Sequence, residues 1–245
     1  MAQIITNSWT AQSDASNIKA WFSEQLSALH GFEDTQTDQQ TGDILLYFTA
    51  SSYIRLSSTT TSGYFTISVT CPGHTAILYD GNITNRAVYA ELVKSVLGDI
   101  SIRFGNTTAL ENHDFFVGVL LKCKNTITGV ETWGFYQPQN MSSTSAQVFS
   151  PRLLITDDTT YENGQRLNII KPSPNSASAA IVCSGYNPYA AITVLVPICA
   201  VSSCCVAVNT YFMLISPQMY DGDATLDGKH YHCIGLVAML DEVVE

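Results

Sequence analysis

From Ser13 to Gly31 (SDASNIKAWFSEQLSALHG) the apolar residues Ile18, Trp21, Phe22, Leu26 and Leu29 recur at helical spacing and share one face. Ser13 and Asp14 suit the start of a helix and Gly31 its stop. The pattern predicts an amphipathic helix of about four turns. Its Trp21 and Phe22 are expected to pack on the protein's own sheet rather than to anchor a partner. A second helix is predicted over Asn85–Leu97, with Val88, Leu92, Val96 and Leu97 inward, Thr84 or Asn85 as its cap and Gly98 as its end.

Between and after these helices the period changes to short β segments separated by turn residues. Ile44–Thr49, Tyr53–Ser58, Tyr64–Thr70 and Thr75–Tyr79 read as a meander. Ile100–Phe104, Phe115–Lys122 and Thr132–Tyr136 follow, the last two bracketing a hairpin loop in CKNTITGVE. The stretch Gln137–Phe149 is polar, contains Pro138 and lacks a period, which makes it the expected boundary or long connection. Beyond it Arg152–Thr156, Arg166–Ile170, Ala179–Cys183, Ala191–Val196, Cys204–Asn209, Tyr211–Ile215 and Tyr231–Leu236 look extended. The expected class is α+β and β-dominated, with antiparallel sheets, two helices in the N-terminal half and an almost all-β C-terminal half. Residues 1–137 would form an α+β domain and 138–245 a β domain, a single domain being the alternative. DFFVGVLLKCKNTITGVETWGFY and YFMLISPQMYDGDATLDGKHYHCIGLVAML echo one another, as the general likeness of hairpins explains, with an ancient duplication as the alternative.

Charge changes the picture. The hydrophobic fraction of 46% is that of a globular chain, but the charged fraction is only 13%, about half the usual ~25%. Ser, Thr, Asn and Gln stand in for the missing charges, which suits strands and surfaces that other subunits cover. A net charge of −10, with eleven scattered basic residues, argues against nucleic acid as a ligand, because such binding draws on clustered Lys and Arg. No basic and apolar leader opens the chain, so folding inside the cell is expected. The seven cysteines then read as reduced core thiols, and the acceptor-like triplets at Asn82 and Asn106 carry no glycan. From Pro172 to Tyr220 there is no charged residue. Within that stretch, Ala190–Val208 approaches the length of a membrane span. Pro197, the Ser202-Ser203 pair, the β-branched content and the absence of flanking Lys or Arg favour a buried strand–turn–strand instead.

Few residues suggest chemistry. Asp221, Asp223, Asp227, His230, His232 and Cys233 lie close together in sequence, and on a strand His230 and His232 would share a face, as a metal requires. DGDATLDG resembles the start of a calcium loop, yet Leu226 stands where the sharp-turn Gly belongs and His232 where a bidentate Glu belongs. An acidic turn leading into an exposed strand is the expected reading. Cys71-Pro-Gly-His74 pairs a thiol with an imidazole, but nothing nearby orients the His, so a hairpin turn is expected. Asp157-Asp158 and Asp241-Glu242 are expected to face solvent. The segment SGYNPYAA (184–191) offers aromatic and Asn side chains that suit a sugar, an interface or a packed loop. No phosphate loop, nucleophile elbow, HExxH helix or CxxC pair is present. No catalytic, cofactor-binding or metal-binding residue is assigned, no cofactor is implied, and the chain is expected not to be an enzyme.

Two segments, SWTAQSDASNIKAWFSEQLSALHGF and DGKHYHCIGLVAMLDE, resemble tail-associated or baseplate-type virion proteins of tailed bacteriophages and prophages. The resemblance covers about a sixth of the chain and transfers no site residue. It implies a structural component of the virion's tail, baseplate or neck, with other virion subunits and further copies of itself as partners, assembled in the host cytoplasm. A charge-poor, strand-rich chain must pair or hide its edges, and ordered oligomers do so by subunit contact. The alternatives are a carbohydrate- or receptor-binding β module of a fibre and, further off, a metal-dependent enzyme using His230 and His232.

Overall fold

The computed structural model describes residues 1–11, 14–30, 32, 34–59, 63–71, 74–106, 116–125, 127–137, 152–155, 165–166, 183–184, 194–200, 205–214, 220–235 and 237–243. It opens on strand β1 (Gln3–Trp9) and helix α1 (Ala15–His30). Asp14 caps the helix: its side chain accepts the Ser16 amide at 3.1 Å, and its carbonyl takes the Asn17 and Ile18 amides. At the other end the Lys94 ammonium donates to the Leu29 carbonyl, a cation where the helix dipole favours one. Ile18, Phe22, Leu26 and Leu29 are all buried, as their spacing predicts.

Strands β2 (Asp34–Thr37), β3 (Ile44–Thr49), β4 (Ser52–Thr59), β5 (Tyr64–Cys71) and β6 (His74–Asn82) form a five-stranded antiparallel meander in sequence order. Alternate residues Leu46, Ile54, Leu56, Phe65, Ile67 and Val69 face α1 and are buried, the period-two pattern of a half-buried sheet. Phe22 stacks on Phe65 with centroids 5.5 Å apart and meets Phe104 edge-on at 5.4 Å. Through Phe104 the helix joins a second sheet.

That sheet is built from β1 with β7 (Val88–Lys94), β8 (Ile100–Asn106), β9 (Phe116–Asn125), β10 (Glu131–Gln137), β11 (Arg152–Ile155), β12 (Gln165–Arg166), β13 (Cys183–Ser184), β14 (Val194–Ala200), β15 (Cys205–Leu214), β16 (Tyr220–Leu226), β17 (Lys229–Gly235) and β18 (Val237–Val243). Its main path runs β1-β7-β8-β9-β15-β18-β17-β16-β13, and every pairing is antiparallel. Val88, Ala90, Leu92, Ile100, Ile102 and Phe104 face the helix side, while Val93, Ser101, Val119 and Leu121 are buried on the other face. Around β7–β9 the sheet is therefore covered on both sides. β14 and β15 pair from Val194↔Leu214 to Ala200↔Cys205, so the charge-free run contains a pair of antiparallel strands among its described residues. Among the described residues no helix is long and apolar enough to cross a membrane.

The β-dominated antiparallel class holds, but the N-terminal half has one helix among the described residues, not two. The predicted helix over Asn85–Leu97 is strand β7. Its sequence carries both periods: Val88, Leu92 and Val96 fit a helix, whereas Val88, Ala90 and Leu92 fit one face of a strand. Pairing decides between them, because β7 is bonded along its length to β1 on one side and β8 on the other. Asn85, the expected cap, sits at φ 58° and ends a turn instead. Gly98, at φ 101°, supplies the tight turn into β8. The expected boundary in Gln137–Phe149 lies, past Gln137, outside the described residues, as do much of Arg166–Ile170 and Ala179–Cys183.

Candidate functional site

The residues singled out near the C-terminus fall on β16, β17 and the turn between them, towards one end of the large sheet. Asp227 and Gly228, at φ 48° and 72°, form the two-residue turn between β16 and β17, the type I′ geometry that Asp-Gly favours. Asp221 to Leu226 are extended in β16, so the stretch that resembles a calcium loop has no loop with which to wrap a cation. On β17 Tyr231 is buried, His230 is exposed and His232 is half-buried. His230 lies between Thr225 and Glu242, and His232 between Asp223 and Met239. Among the described residues, no three His, Cys, Asp or Glu groups converge on a point that could hold a metal. Asp241, expected to face solvent, accepts the Ala2 amide; its neighbour Glu242 is exposed.

Cys71 and His74 are the last backbone pair of the β5–β6 hairpin, and Cys71 is buried. Strand pairing accounts for their approach. Pro72, Gly73, Asp157, Asp158 and residues 185–191 lie outside the described residues.

Two features were not singled out from the sequence. The first is Asp99, an acidic residue with no exposed surface at all. β9 pairs with β8 as far as Leu120↔Ile100 and then with β15 at Cys123↔Ala207 to Asn125↔Cys205. β15 in turn passes from β9 to β18, which it meets at Thr210↔Met239. Asp99 fills the gap where these four strands change partners. One carboxylate oxygen accepts the Lys122 amide at 2.8 Å, and the other accepts the Thr210 hydroxyl at 2.9 Å. Beside it the Ser95 hydroxyl accepts the Asp99 amide at 3.1 Å, and the Val96 amide donates to the Leu240 carbonyl on β18 at 3.0 Å. Burial pushes the Asp99 carboxyl above its ordinary value, and the two hydrogen bonds and the Lys122 charge oppose that rise. In the sequence, Gly98-Asp99 before an apolar strand reads as an ordinary turn; its partners are too distant along the chain to give a local signal.

The second feature is the β9–β10 hairpin. β9 runs on from its last pair with β8 for roughly 15 Å, at about 3.3 Å per residue, paired with β10 on one side and, from Cys123 to Asn125, with β15 on the other. A tight turn closes the hairpin, with the Gly129 amide on the Asn125 carbonyl at 2.8 Å and the Asn125 amide on the Val130 carbonyl at 2.9 Å. Its tip presents Ile127 and Val130, 78% and 62% exposed. Leu97, in the turn before Asp99, is also exposed. Large apolar side chains held in water at the tip of a hairpin are suited to contact with another surface.

No protein-family model matches the chain, and neither a curated protein nor a solved structure does.

Proposed function

We propose that this chain is an assembly subunit, a structural component of a bacteriophage tail, baseplate or neck that works by protein–protein packing with other virion subunits and with copies of itself. The observation that carries the packing is the exposure of Ile127 and Val130 at the tip of the β9–β10 hairpin. Covering both side chains is worth about 3–5 kcal/mol, a substantial share of a subunit contact. The low charge fraction of 13% supports the same reading, since few charges need to be desolvated when a neighbour docks. The phage setting rests on the resemblance of the N- and C-terminal segments to tail and baseplate proteins.

Light scattering of the purified chain after size-exclusion chromatography tests the packing, and mass spectrometry of particles from a strain carrying the gene tests the setting. An oligomer that Ile127→Asp with Val130→Asp dissolves is the expected result. A chain that stays monomeric at every concentration, and is absent from purified particles, overturns the proposal.

A further inference from the structure

We propose that Asp99, Thr210 and Met239 form a two-position hydroxyl latch between the strands before residue 137 and those after residue 194, and that a single proton sets its position. With Asp99 charged, its carboxylate is an acceptor only and takes both the Lys122 amide and the Thr210 hydroxyl, at 2.8 and 2.9 Å. A proton arriving from solvent on the oxygen facing Thr210 turns that oxygen into a donor. The Thr210 oxygen then accepts, and its hydrogen rotates toward the Met239 sulfur, 4.0 Å away. No heavy atom has to move, and the Lys122 amide keeps its acceptor.

Among the described residues Lys122 on β9 is the cation acting on Asp99, and the other charged groups around the latch are engaged elsewhere. Lys94, at the end of β7, is drawn to the Leu29 carbonyl, Arg103 on β8 pairs with Glu91 at 3.1 Å, and Asp241 on β18 accepts the Ala2 amide. Ser95 and Thr210 contribute hydroxyls without charge.

The protonated latch retains its contacts and no longer holds a desolvated charge. Because burial raises the Asp99 carboxyl above 3.8 in the folded chain, the stability tied to the neutral form is fully present below the unfolded value. It is lost as pH rises through the folded value. The junction of β9, β15 and β18 is thus held most tightly below the ordinary carboxyl value and loosens as pH rises through the folded one.

Nuclear magnetic resonance of the full chain, following the Lys122 amide and the Asp99 carboxyl carbon against pH, tests the latch alongside Thr210→Val and Thr210→Ser. Both signals are expected to titrate together, with a midpoint above 3.8. Thr210→Val takes a donor from the charged form and raises that midpoint by about one pH unit; Thr210→Ser restores it. A midpoint at or below the ordinary value, or one that Thr210→Val leaves in place, overturns the latch. Should Thr210→Val not fold, thermal unfolding of Asp99→Asn decides. Its difference from the parent chain must change across the pH window in which Asp99 titrates, and a constant difference sinks the proposal.

Discussion

At the scale of single residues, Phe22 and Asp99 mark opposite ends of what a sequence discloses. Phe22 lies on the apolar face of a helix whose spacing is visible in a dozen residues, and its burial against Phe65 and Phe104 follows from that face needing a sheet. Replacing it with Ala leaves a cavity where helix and both sheets meet. The expected cost is about 3–5 kcal/mol, to be read from urea denaturation of the variant. Asp99 has no such local sign, since its partners Lys122 and Thr210 lie 23 and 111 positions away. The carboxylates also differ in how they meet acid. Backbone amides hold Asp14 and Asp38 below the ordinary value, chiefly those of Ser16 and of Gln40 and Thr41. The stability they give is present above the unfolded value and is lost as pH falls through the folded one, opposite to Asp99. Asp14→Ala and Asp38→Ala should therefore lower the melting temperature near neutral pH and converge on the parent chain in strong acid, as scanning calorimetry at stepped pH would register.

At the scale of elements, β3 and β4 were legible because their buried residues alternate and turn residues bound them; Ile44–Thr49 coincides with β3 as observed. β7 was not legible, because Val88–Lys94 satisfies both periods and one of the strands that fixes it, β1, lies far earlier in the sequence. β1, β2, β16 and β18 passed unnoticed for related reasons. β2 is exposed along its length and so lacks an alternating pattern, while the Asp-rich β16 resembles a loop by composition. If tertiary pairing alone makes β7 a strand, a peptide spanning residues 83–99 should show more helix than strand by circular dichroism in a helix-promoting solvent. Strand signal from the isolated peptide would contradict that account. In the intact chain Ala90→Pro is expected to cost about 1–3 kcal/mol through the buried ladder bond it breaks, because Ala90 sits between Asn7 and Phe104 in a doubly paired strand.

At the scale of the whole molecule, the chain's charge and its exposed tip make opposing demands on assembly, and their balance is measurable. A net charge of −10 makes two copies repel at a distance, whereas Ile127 and Val130 reward contact through an interaction that salt does not screen. The hairpin offers little to offset the repulsion with ion pairs: Lys124 lies directly opposite Glu131, and Lys122 rests over the Trp133 ring at 5.6 Å. Added salt should therefore strengthen self-association, because it shortens the range of repulsion from about 30 Å at 0.01 M to about 8 Å at 0.15 M and leaves the apolar contact intact. Sedimentation velocity across that range should show the oligomer fraction rising for the parent chain. For Ile127→Asp with Val130→Asp it should stay low at every salt concentration, since removal of the apolar contact leaves screening nothing to uncover. An oligomer that instead dissolves as salt is added would be held by ion pairs, and the contact would then have to be sought away from the hairpin tip.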